Sequence, residues 1–308
     1  MIISASRRTD IPAFYTEWFL RRLGKEIIVI NPFNKNQANS ILMTKETVDC
    51  IVFWTKNPRP LLDRLGEMEG YNYYFQFTVN GYGRLIEPGV PDLSKIIGTF
   101  IELSNIIGKK KVIWRYDPVF ISDEFTAEWH ISNFRKIAEK IHDHTEKCVI
   151  SFIDMYAKTK RNTKQKLVRE PTTGEIDSIA ENMSKICSEY GLKLATCCES
   201  VDLKKYGIEH NSCIDKELIR ELFGIVLKDT RDAQRGNCGC LKCHDIGSYN
   251  TCLHKCIYCY ATYKPELVDD NQKENDIDSP LLIGHLGPGV KVYPIKVEKG
   301  SKINRFFF

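Results

Sequence analysis

A chain of 308 residues is long enough for one large α/β domain or for two ordinary ones, and its 44 Lys and Arg against 40 Asp and Glu leave a net charge of only +4. That near balance neither predicts nor excludes an acidic partner. Twelve cysteines behind an opening Met1-Ile2-Ile3-Ser4-Ala5-Ser6-Arg7-Arg8, which is no basic-then-apolar leader, argue against a secreted disulfide scaffold, and no run approaches the roughly 18 apolar residues of a membrane span. The expectation is a cytoplasmic, oxygen-sensitive protein whose thiols stay reduced until they bind metal.

Residues 2–6 read as a short strand, followed by the polar run Arg7-Arg8-Thr9-Asp10-Ile11-Pro12 and a helix over residues 14–23. Arg7, Arg8 and Asp10 stand either at a working strand end or in a solvated turn. Residues 27–30 and 40–43, separated by Asn31-Pro32-Phe33-Asn34, predict an inserted hairpin. Residues 51–56 are a strand of the fully buried type, followed by a helix carrying Leu61, Leu62, Leu65 and Met68. The unit repeats as strand 73–79 with helix 93–107, strand 112–119 with helix 127–142, and strand 148–153 with a long polar loop and helix 176–190. Residues 193–199 make the sixth strand. Six such alternations argue for a parallel sheet with both faces covered. Periodicity does not separate a partial barrel from an open doubly wound sheet.

After the sixth unit comes Cys252-Leu253-His254-Lys255-Cys256-Ile257-Tyr258-Cys259-Tyr260-Ala261. Three thiols at spacings of four and three can close around three corners of a 4Fe-4S cluster, which normally takes four cysteines, and so leave one iron open. The competing reading is a zinc knuckle, for which His254, inside the motif, is poorly placed as a fourth ligand.

The motif Cys-x3-Cys-x2-Cys with an aromatic before its last cysteine resembles the cluster signature of the radical S-adenosylmethionine (SAM) enzymes. Cys-x-Tyr-Cys-Tyr-Ala is closest to the spore photoproduct lyase branch, as are Thr55-Lys56-Asn57-Pro58 and Arg115-Tyr116-Asp117-Pro118-Val119. In that superfamily the cysteine loop follows the first strand, whereas here it follows the sixth unit. Asp245-Ile246-Gly247-Ser248-Tyr249-Asn250-Thr251-Cys252 is similar to a run near the C-terminus of a bacterial family of unassigned function, over most of the chain to about Gly289. The resemblance implies an α/β fold: a parallel six-stranded partial (β/α) TIM-like barrel with a C-terminal cysteine-rich iron-sulfur segment returning across its mouth beside the first strand. The implied division is residues 1–200 for the barrel, 201–263 for the cysteine-rich segment and 264–308 for a docked tail. It also implies SAM cleavage to a 5′-deoxyadenosyl radical, hydrogen abstraction from an unidentified substrate, and an electron donor such as flavodoxin or ferredoxin.

Under this reading Cys252, Cys256 and Cys259 hold the cluster and Tyr258 packs against the adenine of SAM. Strand-end polar residues hold the rest of SAM or act on substrate: Arg115 and Lys56 first, as charged donors for a carboxylate, then Glu199, with Gln76, Thr78, Asn80, Asp117 and Asp154 beside them. Nine of the twelve cysteines fall between Cys197 and Cys259, a density that as free exposed thiols would be an oxidation hazard. An auxiliary iron-sulfur cluster on Cys197, Cys213, Cys238 and Cys240, with Cys198 and Cys243 as substitutes, is expected; a structural zinc is the alternative. Cys50, Cys148 and Cys187 read as core. Lys158, Lys160, Arg161, Lys164, Lys166 and Arg169, near Tyr156, form a basic run that is either a solvated face or a grip on the phosphates of a nucleic acid. The latter would fit a nucleic-acid substrate such as that of spore photoproduct lyase; the rival reading is a non-catalytic iron-sulfur or zinc nucleic-acid-binding protein that uses this run. Residues 264–279 read as a polar surface loop, with residues 280–284 and 290–293 docking on the domain.

Overall fold

The apolar runs form parallel strands because both of their faces are covered, as a computed structural model describing residues 1–164, 167–231, 238–297 and 300–302 makes plain. Lys166 of the basic run, the side chain of Lys158, and Phe306, Phe307 and Phe308 lie outside the described residues. The chain runs β1 (Ile2–Ala5), α1 (Ile11–Phe14), α2 (Thr16–Arg22), β2 (Glu26–Ile30), β3 (Gln37–Leu42), β4 (Cys50–Thr55), α3 (Arg59–Leu62), β5 (Tyr73–Thr78) and α4 (Leu93–Ile107). It continues with β6 (Val112–Val119), α5 (Ala127–Ile141), β7 (Lys147–Phe152), α6 (Ala157–Thr163), α7 (Thr173–Glu189), β8 (Lys193–Cys197) and β9 (Glu209–Asn211). Then follow α8 (Lys216–Phe223), β10 (Ile225–Val226), β11 (His244–Asp245), α9 (Val268–Lys273), β12 (Lys291–Pro294) and β13 (Ser301–Lys302).

The main sheet has eight strands in the order β11-β1-β4-β5-β6-β7-β8-β9, all paired in parallel. This corrects the expected six, and among the described residues no pairing of β11 with β9 closes the sheet into a barrel. The two extra strands are short and polar, Glu209–Asn211 and His244–Asp245, and carry no hydrophobic run to betray them. They are held as strands by the edges they join.

Alternation along each strand sends residues to opposite faces. Ile51, Phe53, Phe75, Phe77, Trp114 and Ile150 pack with Phe100 of α4, Phe134 and Ile137 of α5, and Met183 of α7. The opposite face carries Ile2, Cys50, Val52, Tyr74, Ile113 and Val149, and these pack against Cys213, Ile214, Ile219, Ile225, Cys240 and Cys243. The cysteine-bearing segment after β9 therefore covers the N-terminal half of one sheet face. The same alternation continues into Trp54, Lys56, Gln76, Thr78, Arg115 and Asp117 at the C-terminal half, where the polar residues gather.

Helices end where their sequence dictates. Thr126 caps α5 by accepting from the Trp129 amide, and Thr172 and Glu175 form a reciprocal capping box on α7. The expected helix over 14–23 is two helices broken at Tyr15, and the one after residue 56 is the short α3 with a separate 3-10 turn at Leu65–Met68 that contains the poor helix former Gly66. The polar loop after β7 contains α6, and the polar tail contains α9. The predicted hairpin is present as antiparallel β2 and β3, extended by β12 in parallel with β3. Leu281 and Leu282 are buried, and the Ile28 amide of β2 donates to the Pro280 carbonyl. No helix among the described residues is long and apolar enough to cross a membrane.

Candidate active site and metal centre

β11 sets the cysteine loop beside the first strand. Ile3 and Ser4 register with His244 and Asp245, and the Asp245 carboxylate accepts from Ser4 Oγ at 2.7 Å, Ser6 Oγ at 2.6 Å, the Arg7 amide at 2.8 Å and the Gly247 amide at 3.0 Å. A Cβ on Gly247 would meet Ser6 Oγ at 2.1 Å, so only glycine allows this approach. The cysteine loop that follows β11 thus starts beside β1.

The following loop is stitched to its surroundings by backbone bonds. Gly89 N donates to the His254 carbonyl at 2.9 Å and Ile257 N to the Ile86 carbonyl at 3.0 Å, while Tyr15 Oη donates to the Thr251 carbonyl at 2.7 Å. Left-handed backbone at Lys255 curls the chain between Cys252 and Cys256. Cys252, Cys256, Tyr258 and Cys259 all line a cavity of about 770 Å³. His254 also lines it, but its ring nitrogens face Asp10 Oδ2 at 2.8 Å and the Gly89 carbonyl at 3.1 Å. It is a structural anchor of the loop, a role its place between two cysteines did not reveal. Burial pushes the Cys252 and Cys256 thiols up, so a metal bound there would have to displace protons.

The strand-end candidates divide. Lys56, Thr78, Arg115, Asp117 and Asp154 line the same cavity. Lys56 Nζ is already paired with buried Glu87 at 2.8 Å, and Glu87 also accepts from Tyr258 Oη and, at 3.3 Å, from Asn80 Nδ2. Burial works against the Glu87 charge, yet Lys56 and these donors hold its carboxyl below the usual range. Arg115 is paired with Asp117, its Nε donating at 2.9 Å. Asn80 exchanges two bonds with the Asp117 backbone, each at 2.9 Å, and so fixes the end of β6 from outside the cavity wall. Gln76 Nε2 donates to the Cys213 carbonyl at 3.0 Å, and Glu199 accepts from the Phe152 amide at 2.9 Å, also off the cavity wall. Glu87 was not legible as a site residue: it sits in a loop without periodicity.

On the other side lie Cys197, Cys198, Cys213, Cys238 and Cys240, which line the same cavity. Cys197 Sγ and Cys213 Sγ are 3.1 Å apart, and Arg115 donates to Cys213 Sγ at 2.9 Å. Arg7 donates to Cys243 Sγ at 2.8 Å and stacks over Trp54 at 5.2 Å. Hydrogen bonds from Cys197 and Cys240, reinforced by Arg115, draw the Cys213 thiol well below its ordinary range. Among the described residues no group of three or more His, Cys, Asp or Glu side chains forms a ready site for a single metal ion. Cys50, Cys148 and Cys187 are buried in the core.

The basic run is partly committed elsewhere. Arg169 makes two bonds of 2.7 Å to Glu175, and Arg161 donates to the Tyr263 carbonyl at 2.6 Å.

No functionally curated protein matches the chain. Among solved structures it resembles one described provisionally as an alpha-L-fucosidase from Bacteroides thetaiotaomicron VPI-5482, 12% identical over 75% of this chain and 84% of that one, with a TM-score of 0.27, a likeness that carries no argument. Residues 2–261 match the family described as a domain of unknown function (DUF1848), and the chain belongs to that family.

Proposed function

We propose that this protein is a radical SAM enzyme in which Cys252, Cys256 and Cys259 hold a 4Fe-4S cluster and leave one iron for SAM. The observation that supports it most is the opening of these three thiols, from one loop, into the cavity that the polar strand ends share. The donor set fits the group: three soft sulfur ligands at the spacing of the cluster signature, with no fourth cysteine in the loop. A cavity of about 770 Å³ is of the size that encloses a small-molecule ligand. Bound together, cluster and SAM would supply a 5′-deoxyadenosyl radical for hydrogen abstraction, the difficult chemistry being the cofactor's own.

The chain supplies position and exclusion of water. The six longer strands of the sheet serve as the partial-barrel scaffold. Asp10, His254 and Gly89 fix the cysteine loop against α1 and the loop after β5. Tyr258 presents its ring to the cavity while its hydroxyl is held by Glu87. Lys56 reaches the same wall and, with Glu87, sets the charge facing the ligand. Arg115 and Asp117 form the far wall, and the substrate is a molecule small enough to lie between that wall and SAM.

Protein reconstituted anaerobically with iron and sulfide, reduced with dithionite and given SAM, should release 5′-deoxyadenosine and methionine. Cys256→Ala should release neither. A colourless protein with zinc on these thiols, or an iron-bound one that leaves SAM intact, would overturn the assignment.

A further inference from the structure

We propose that the wall opposite the Cys252 loop carries a second thiolate-bound metal centre, an iron-sulfur cluster, held by four of the five thiols Cys197, Cys198, Cys213, Cys238 and Cys240. The inference rests on the structure of this wall and not on the chemistry assigned to the first set.

The five thiols make a ring on one wall of the cavity, with Cys197 Sγ and Cys213 Sγ 3.1 Å apart and Cys198, Cys238 and Cys240 lining the same wall. Three separate segments of chain converge to make it. Consecutive strand residues point to opposite faces, so Cys197 and Cys198 could not both enter an ordinary strand end. A φ of +58° at Cys198, a left-handed conformation uncommon outside glycine, turns the second thiol to the same centre. The Cys213 carbonyl is fixed by Tyr74 Oη at 2.6 Å and Gln76 Nε2 at 3.0 Å. Cys238 and Cys240 flank Gly239, where a Cβ would meet Ser212 Oγ at 2.6 Å, and that hydroxyl donates to the Gly239 carbonyl at 2.8 Å. The two loops are clamped at the glycine so that their thiols meet.

Ordinary core thiols need neither backbone strain nor cationic neighbours. These have Arg115 bonded to one member of the ring, and the half-buried Arg7 guanidinium close by on Cys243. Fixed guanidinium groups favour thiolate and balance a sulfur-rich anion. Disulfides do not explain the ring: every cysteine is free, the 3.1 Å separation of Cys197 and Cys213 exceeds a bond of about 2.05 Å, and five thiols cannot all pair. A 4Fe-4S cluster takes four cysteines, which the ring supplies with one to spare. Cys243, engaged by Arg7, stands outside the ring.

The test removes the first set. The variant Cys252→Ala, Cys256→Ala, Cys259→Ala, reconstituted anaerobically with ferrous iron and sulfide, should retain about four irons and four sulfides per chain and give a paramagnetic signal on reduction. Adding Cys213→Ser and Cys240→Ser should abolish both. A triple variant that is folded by circular dichroism yet iron-free, or that carries zinc alone, overturns the proposal. Should the triple variant not fold, wild-type protein is compared with Cys213→Ser, Cys240→Ser: a loss of about four irons supports the second centre, and an unchanged iron content overturns it. Failure of the wild-type protein to cleave SAM would refute the proposed function and leave this count untouched.

Discussion

His254 Nε2 stands 2.8 Å from Asp10 Oδ2, a buried contact between residues 244 positions apart. The same carboxylate caps α1 through the Ala13 amide at 3.0 Å and accepts from Thr55 Oγ1 at 2.8 Å and the Lys56 amide at 2.7 Å. One side chain therefore ties the end of β4, the first helix and the cysteine loop together. Asp10→Ala should cost about 3 kcal/mol of unfolding free energy, because it strands several buried donors at once, whereas Thr55→Ala should cost about 1 kcal/mol. Urea unfolding with equal losses for the two variants would refute this ranking.

At Gly89 the loop after β5 lies directly against the cysteine loop, its amide donating to the His254 carbonyl. A Cβ there would meet the Leu253 carbonyl oxygen at 2.2 Å and His254 Cα at 2.8 Å, both backbone atoms. Gly89→Ala should destabilise the fold by about 1–3 kcal/mol through overpacking and should lower iron uptake at Cys252, Cys256 and Cys259. Iron content equal to wild type after anaerobic reconstitution would show that the loop yields freely.

Glu87 is buried and Lys56 half-buried, and removing Lys56 leaves the Glu87 charge uncompensated. Lys56→Met alone should destabilise by about 3–5 kcal/mol, and Lys56→Met with Glu87→Gln by clearly less than the sum of the two single changes. A double-mutant cycle in urea reads the coupling; strict additivity would mean that the two side chains do not act as a pair.

His130 supplies the pH dependence. It is fully buried, with Nε2 on the Phe120 carbonyl at 2.7 Å and Nδ1 on Tyr116 Oη at 3.0 Å, and burial pushes it down to about 4. A histidine depressed below its unfolded value of about 6.5 contributes stability that is fully present above that value and is lost as pH falls toward the folded one. Unfolding free energy should fall by about 2 kcal/mol from this residue between pH 7 and pH 5. His130→Gln should flatten that part of the slope; an unchanged slope would locate it elsewhere.

The longer strands and helices were open to sequence reading because each is long and meets the sheet face it covers with a regular pattern. β4, β5, β6 and β7 are near-continuous apolar runs since both their faces are buried, and α4 runs over residues 93–107 as its spacing predicts. The alternation at the end of β6 likewise pointed to Arg115 and Asp117, which do line the cavity. β9 and β11 escaped because three and two polar residues become strands only through the edges they join. Glu87 escaped because its loop has no period, and the anchoring role of His254 depends on Asp10 and Gly89, which are far from it in the chain.

The alternating apolar runs and the cysteine spacings are legible without a structure, because they are local patterns written in consecutive residues. That residues 252–259 stand beside β1, and that five thiols from three distant segments line one cavity wall, emerges in the folded chain. Those facts depend on contacts between segments far apart in the chain, where the pairing of β11 with β1, the turn at Cys198 and the glycine clearances at positions 89, 239 and 247 set the distances.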